Sequence, residues 1–229
     1  MGVIFDSGHE SSLRINALTQ ELGDVIRDIC PSAKIGLDVG CQDGKLTEAI
    51  SNKTGIEFYG VEPEIKQVER SSGKVKIIQG FANKLPFSES TFDIVTIISV
   101  LEHIPADELL VSYYEIFRVL KPGGYCFGQI PNMNFPIEVH SHLPLQQFLP
   151  RMVGDRYLRI FSRGRLRKSE WYRISKNSVR RAAFEVGFKE MTILPYLYPK
   201  YVFPKRLYLF YPALKVFPLD YIFWCKKPH

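Results

Sequence analysis

The stretch Ile35-Gly36-Leu37-Asp38-Val39-Gly40-Cys41-Gln42-Asp43-Gly44 decides the fold of this 229-residue chain. Its apolar first half reads as a buried strand, and the glycines that follow read as a turn opening a helix. Glycine lets the backbone approach a ligand closely, and a helix start offers free N–H groups. A second strand ends at Glu62, where an acid can accept the two hydroxyls of a ribose. Turn and acid together point to a nucleoside-containing ligand. A pyrophosphate would want G-x-G-x-x-G with little negative charge nearby, whereas the turn reads Asp38-x-Gly40-x-x-x-Gly44, so a nicotinamide dinucleotide is disfavoured.

Strands and helices alternate on both sides of this turn. A helix over Ser11/Ser12 to Ile29 precedes it, stopped by Pro31. Helix Lys45–Ser51, strand Glu57–Val61, helix Glu64–Ser71, strand Val75–Gln79, strand Phe92–Ile98, helix Asp107–Leu120 and strand Tyr125–Ile130 follow. That rhythm predicts βαβ units, hence a doubly wound α/β fold around a mostly parallel sheet. It lapses for about 45 residues after Ile130, too long for a plain connection, so an inserted cap carrying a helix over Leu145–Val153 is expected. Ser175 then caps a helix over Lys176–Val186 that Gly187 stops, and strands Glu190–Leu194 and Tyr221–Lys226 close the chain. One domain is expected: an N-terminal helix (1–30), a ligand-binding core (31–130), the cap (131–174) and a final helix and strands (175–229).

Thirty Lys and Arg against 24 Asp and Glu give +6, a sum that hides a split. Residues 1–150 hold 12 basic and 19 acidic side chains, net −7; residues 151–229 hold 18 and 5, net +13. One half suits a cationic ligand, the other an anionic one. Four scattered cysteines without a C-x-x-C pair indicate a reducing, cytoplasmic compartment. No signal peptide is evident, and no apolar run reaches the ~18 residues that span a bilayer.

The glycine turn resembles that of the class I S-adenosylmethionine-dependent methyltransferases with a Leu-Asp-Val-Gly-Cys turn. The resemblance continues through Tyr59-Gly60-Val61-Glu62-Pro63, Gly80-Phe81-Ala82-Asn83-Lys84-Leu85-Pro86-Phe87, Phe92-Asp93-Ile94-Val95 and Val100-Leu101-Glu102-His103-Ile104. It ends with Leu120-Lys121-Pro122-Gly123-Gly124 and Ile130-Pro131-Asn132, all in the family's order over residues 35–132. It implies a seven-stranded, Rossmann-like sheet whose last strand, Tyr221–Lys226, is antiparallel, and S-adenosylmethionine as cofactor. By position, Gly40, Cys41, Gln42 and Gly44 would wrap its methionine and ribose, with Asp38 nearby. Glu62 would take the ribose hydroxyls, Pro63, Phe81 and Ala82 would flank adenine, and Ser99 and Val100 would lie under the sulfonium. Acidic walls suit that cation. Two positions depart from the common pattern: Gln42 replaces a glycine, and Phe81 replaces an acid, implying either stacking on adenine or weaker cofactor binding.

Methyl transfer asks mainly for alignment and exclusion of water, with a base to free a hydroxyl nucleophile. His103 and His140 are the candidate bases. Related small-RNA ribose and ubiquinone-pathway methyltransferases can hold a metal at this Glu-His block, but their further Glu is Ser99 here, so no metal is expected. His142, Arg156, Arg159 and Arg163 are candidate acceptor ligands, the arginines belonging to a basic run from Arg156 to Arg173 that suits bidentate capture of phosphate. Aromatics from Tyr196 to Phe217 interleave with Lys200, Lys205, Arg206 and Lys215. They read as a base-stacking platform, a peripheral membrane patch, or side chains packed on the sheet. The Pro-Asn block and His-containing insertion resemble enzymes of cell-surface polysaccharide and lipid-linked sugar pathways. A small, anionic, phosphorylated or lipid/sugar-linked acceptor is therefore expected, ahead of RNA, with a non-catalytic binding module as the alternative.

Overall fold

The computed structural model describes residues 9–64, 75–136, 143–161, 171–197, 212 and 218–229. His140, His142, Arg163, all of the expected Glu64–Ser71 helix but its first residue, and most of the aromatic and basic stretch after Leu197 lie outside them. Among the described residues the helices are α1 (His9–Ile29), α2 (Lys45–Thr54), α3 (Leu109–Val119), α4 (Arg151–Phe161) and α5 (Lys176–Val186). The strands are β1 (Ile35–Val39), β2 (Glu57–Glu62), β3 (Lys76–Gln79), β4 (Phe92–Ile98), β5 (Leu120–Pro131), β6 (Lys189–Tyr196) and β7 (Asp220–Lys226).

All seven strands form one sheet in the order β3-β2-β1-β4-β5-β7-β6. Only β7 is antiparallel to its neighbours, as the resemblance implied. Alternate residues serve opposite faces. Ile94 and Phe127 pack with Leu18, Leu22 and Ile26 of α1 and Ile50 of α2. Val95 and Cys126 pack with Ile116 of α3 and Val179 and Ala183 of α5. Full burial of each such Ile or Phe side chain is worth about 1.5–3 kcal/mol, so the two layers, rather than surface contacts, hold the sheet. Gly23 is the crossing point of α1 on α2, where a Cβ would sit 2.6 Å from the Lys53 side chain.

Two expected elements are displaced. Leu145–Val153 is not one helix: a 3-10 turn covers Gln146–Phe148, Leu149 is extended, and α4 starts only at Arg151. Pro150 is the cause, since proline lacks an N–H and disfavours helical backbone in the residue before it. β5 begins at Leu120, five residues before the expected Tyr125, and its register on β4 shifts between Phe92 and Ile94. The excess chain turns at Gly123 (φ 78°), whose N–H donates to Lys227 O at 3.0 Å. Pro195 is accommodated in β6 because that strand is an edge. Ser175 and Gly187 cap and stop α5 as expected, with reciprocal bonds between Ser175 and Ser178.

The parallel register sets Val39 beside Val61 on one side and Ile97 on the other. Strand order runs outward from β1 in both directions, to β2 on one side and β4 on the other, so the turn after β1, the end of β2 and the end of β4 meet at the switch point of the sheet, where open α/β sheets bind ligands.

Candidate active site

Gly40 is fixed by two independent demands. Its φ is 77°, and a Cβ there would lie 2.3 Å from Val100 Cγ2. Its N–H donates to Val61 O at 2.7 Å, seating the turn on β2. Gln42 has φ 50° without being glycine. The left-handed region costs such a residue about 1–2 kcal/mol, which the charge-assisted bond from its N–H to Glu62 Oε2 at 2.9 Å offsets. Gly44 (φ 75°) precedes α2 with no side chain capping it. Glu62, buried at 6% exposure, therefore shapes the turn as well as standing beside it.

Asp38 is buried, and both its oxygens are engaged: Oδ1 accepts from Thr96 Oγ1 at 2.7 Å and Oδ2 from the Thr47 hydroxyl. Burial pushes its carboxyl up to about 6 despite these bonds. It ties β1, β4 and α2 together under the turn, which makes it a positioning residue. Cys41 does similar work. Its sulfur packs where a Cβ on Gly60 would come within 2.5 Å, and burial raises its thiol well above the usual range.

Sequence reading missed the group on the far side of the turn. Arg14, on α1, donates from Nη2 to Ser99 Oγ at 3.0 Å, and Ser99 Oγ donates to Gln129 Oε1 at 2.8 Å. Ser99 itself has φ 55°. Gln129 is fully buried, and its Nε2 has no hydrogen-bond partner among the described residues. Arg14, Gly40, Gln42, Asp43 and Ser99 line a cavity of about 200 Å³. That is less than the usual ligand pocket of some 300 Å³ or more, so it suits one part of a larger ligand. The signals were present: a cation one turn from Leu18 on the inward side of α1, and Gln129 in an otherwise apolar strand.

Val100 packs against Gly40, and the next residues form a 3-10 turn, Leu101–His103. Glu102 is buried while His103 is exposed, so these neighbours face different surroundings. Beyond β2, Pro63 O accepts from Gln79 Nε2 at 3.1 Å. Phe81 is 58% exposed at the end of β3, and Ala82 packs on the core beside it. A flat ring could lie against Phe81 without moving it.

The insertion returns to this end of the sheet. Tyr172 N–H donates to Glu102 O at 2.6 Å, fixing the returning segment against the turn after β4. Next to it Arg151, Trp171, Tyr172 and Arg173 line a cavity of about 260 Å³ with Met133. Arg173 also borders a second cavity of about 230 Å³ with Lys176, Asn132 and the start of α5. The expected acceptor ligands Arg156 and Arg159 are instead on the exposed side of α4.

Sheet order, glycine turn and terminal acid define a nucleoside-binding domain of the methyltransferase type. Residues 37–128 match a family model described as a methyltransferase domain. Within that stretch, about two fifths of the chain, the sequence is similar to the S-adenosylmethionine-dependent methyltransferases. It is 41% identical over 96 residues to a demethylmenaquinone methyltransferase of Staphylococcus aureus, a match covering 38% of this chain and 39% of that protein. This chain thus spans about two fifths of the curated relative's length. A S-adenosylmethionine-dependent methyltransferase of Thermotoga maritima superimposes with a TM-score of 0.60 at 16% identity, over 94% of this chain and 92% of the other. A Pyrococcus horikoshii protein does so with 0.63 at 20% identity, over 98% and 94%. At these identities the structures speak to the fold alone.

Proposed function

We propose that the chain transfers the methyl group of S-adenosylmethionine to an oxygen of a small, anionic acceptor, phosphorylated or linked to lipid or sugar. The observation that carries this reading is the Gly40–Gly44 turn lashed to Glu62, with Arg14 across the cavity. Glu62 Oε1, which accepts only a long bond from Glu64 N–H at 3.4 Å, suits a ribose diol, and the Arg14 guanidinium suits an amino-acid carboxylate. Asp43 at the cavity is paired with Lys45 at 2.6 Å, while the carboxylates of Asp38 and Glu62 disfavour a pyrophosphate there. Phe81 offers a face to the adenine. The cofactor supplies an electrophilic methyl on a good leaving group.

The chain's own part is alignment. Gly40 and Val100 pack the floor, Ser99 and Gln129 hold the end of β4, and the segment around Tyr172 closes off water. His103 stands at the turn after β4 as the base for an acceptor hydroxyl; His140, His142 and Arg163 lie outside the described residues. Arg151, Arg173 and Lys176 take the acceptor's anionic group, in place of Arg156 and Arg159. Free thiols at Cys30, Cys41, Cys126 and Cys225 fit a reducing, cytoplasmic setting.

The test is transfer of labelled methyl from S-adenosylmethionine into fractions of a cell extract separated by charge. Label should enter an anionic small molecule and fall at least tenfold with His103→Ala. Cofactor binding with no labelled product in any fraction would support a non-catalytic binding module, and label in RNA would replace the acceptor class.

A further inference from the structure

We propose that α4 is an in-plane anchor for an anionic lipid bilayer, set so that the acceptor cavity opens beside the membrane surface. The purpose of such an anchor rests on the methyltransferase reading above; the surface itself does not. Of the helix, only Gly154 and Leu158 are buried. Met152, Val153, Arg156, Arg159 and Ile160 recur at the spacing that puts side chains on one helical face. Met152 is 88% exposed, Ile160 59% and Val153 53%.

Concentration of apolar side chains separates this face from ordinary surface. Eleven large apolar side chains are exposed among the described residues, and six of them, Leu145, Phe148, Met152, Val153, Ile160 and Phe161, fall within residues 145–161; Met152, Val153 and Ile160 are on this face, whereas Phe148 lies under Arg173 and Phe161 against Tyr157. The other five are spread over Phe81, α3, α5 and β6. Exposed apolar residues scattered singly need no explanation, but a contiguous patch marks a contact site.

Charge decides the occupant. Arg156 sits one turn from Met152 and one turn from Ile160, at the middle of the stripe, with Arg159 beside it. Asp155, the helix's acid, is half-buried and off this face. In a protein interface an arginine at the patch centre would be desolvated and would need a carboxylate at that spot. At a bilayer its stem lies along the apolar side chains while its head stays at the phosphate level, where anions are available along the whole face. The +13 of residues 151–229 adds long-range attraction to the same surface. Inward, Arg151 and Gly154 of the same helix line the cavity beside Trp171 and Tyr172. One helix thus faces lipid on its outside and the proposed acceptor site on its inside.

Vesicle flotation tests this with mixed phosphatidylcholine–phosphatidylglycerol vesicles and with phosphatidylcholine alone. The wild-type chain should float with the mixed vesicles and partition roughly tenfold or more weakly onto the neutral ones. Met152→Glu combined with Ile160→Glu should lower partitioning roughly thirtyfold or more, from the lost apolar burial. Arg156→Ala with Arg159→Ala should lower it roughly twentyfold. Val111→Glu, at an exposed apolar position on α3, should float as wild type does. Circular dichroism and titration with S-adenosylhomocysteine establish that the Met152/Ile160 variant is folded. Failure of the wild-type chain to float, equal flotation of the Met152/Ile160 variant, or equal binding to neutral vesicles overturns the anchor. Flotation as described in a chain that binds no S-adenosylhomocysteine supports the anchor and sinks the methyltransferase reading instead.

Discussion

Replacing Gly40 by alanine asks the turn for two things it cannot supply. The backbone is at φ 77°, where a residue with a Cβ loses about 1–2 kcal/mol. The added Cβ would also stand 2.3 Å from Val100 Cγ2, far inside contact distance, and overpacking of this kind costs about 1–3 kcal/mol. Gly40→Ala should therefore destabilise the fold by about 2–5 kcal/mol. Val100→Ala alone should cost about 1 kcal/mol, since the side chain is half-buried. In the double variant the clashing methyls are gone and the nearest remaining atom is Val100 Cβ at 3.3 Å, tight but tolerable. Only the backbone penalty then survives, so the double variant should be more stable than the sum of the single costs by about 1–3 kcal/mol. Urea unfolding of the four proteins, followed by far-ultraviolet circular dichroism, measures the cycle. Additivity within about 0.5 kcal/mol would refute the close approach of the turn to the end of β4.

Three further outcomes follow from the same geometry. Glu62→Gln keeps the shape but removes the charge that holds Gln42 and receives the ribose, and should weaken S-adenosylhomocysteine binding by about 1–3 kcal/mol in calorimetry. Arg14→Ala should weaken S-adenosylhomocysteine by about 1.5–3 kcal/mol yet leave adenosine unaffected, because adenosine has no carboxylate; equal loss for both ligands would remove Arg14 from the carboxylate role. Asp38 gives a pH signature: burial raises its folded carboxyl to about 6 from 3.8, so the folded state binds the proton more tightly than the unfolded chain. Its contribution to stability is greatest at low pH and is lost as pH rises from 4 to 6, amounting to about 3 kcal/mol on complete titration. Relative to wild type, Asp38→Asn should gain stability across that window in urea titrations, and a flat difference would contradict the buried, ionisable Asp38.

What the chain's local pattern could reveal, it revealed. The buried run Ile35–Val39, the glycine turn, the acid at the end of β2 and the Ser175 and Gly187 signals are written in neighbouring residues, so period and turn chemistry suffice to read them. Arg14 could not be read this way. It meets Ser99 across 85 residues of sequence, and the spacing that made α1 an apolar-faced helix treats it as one more surface cation. Thr47 and Thr96 were hidden for the same reason, since their purpose appears only when α2 and β4 converge on Asp38. Asp38, expected near the cofactor, borders the cavity with both of its oxygens held inside the fold. Pro150 was visible in the sequence, but the apolar spacing around it outweighed its meaning and set the helix too early. Arg156 and Arg159, read only as members of a basic run, belong to α4 and are exposed there.

The Gly40–Gly44 turn, Glu62 and Arg14 are the proposed site for a sulfonium nucleoside. Calorimetric titration of the folded chain with S-adenosylhomocysteine tests it most directly. One saturable site is predicted, weakened at least fivefold by Glu62→Gln and by Arg14→Ala, while a dinucleotide competitor fails to displace the ligand. Absence of binding at millimolar ligand, or binding indifferent to both substitutions, would contradict it.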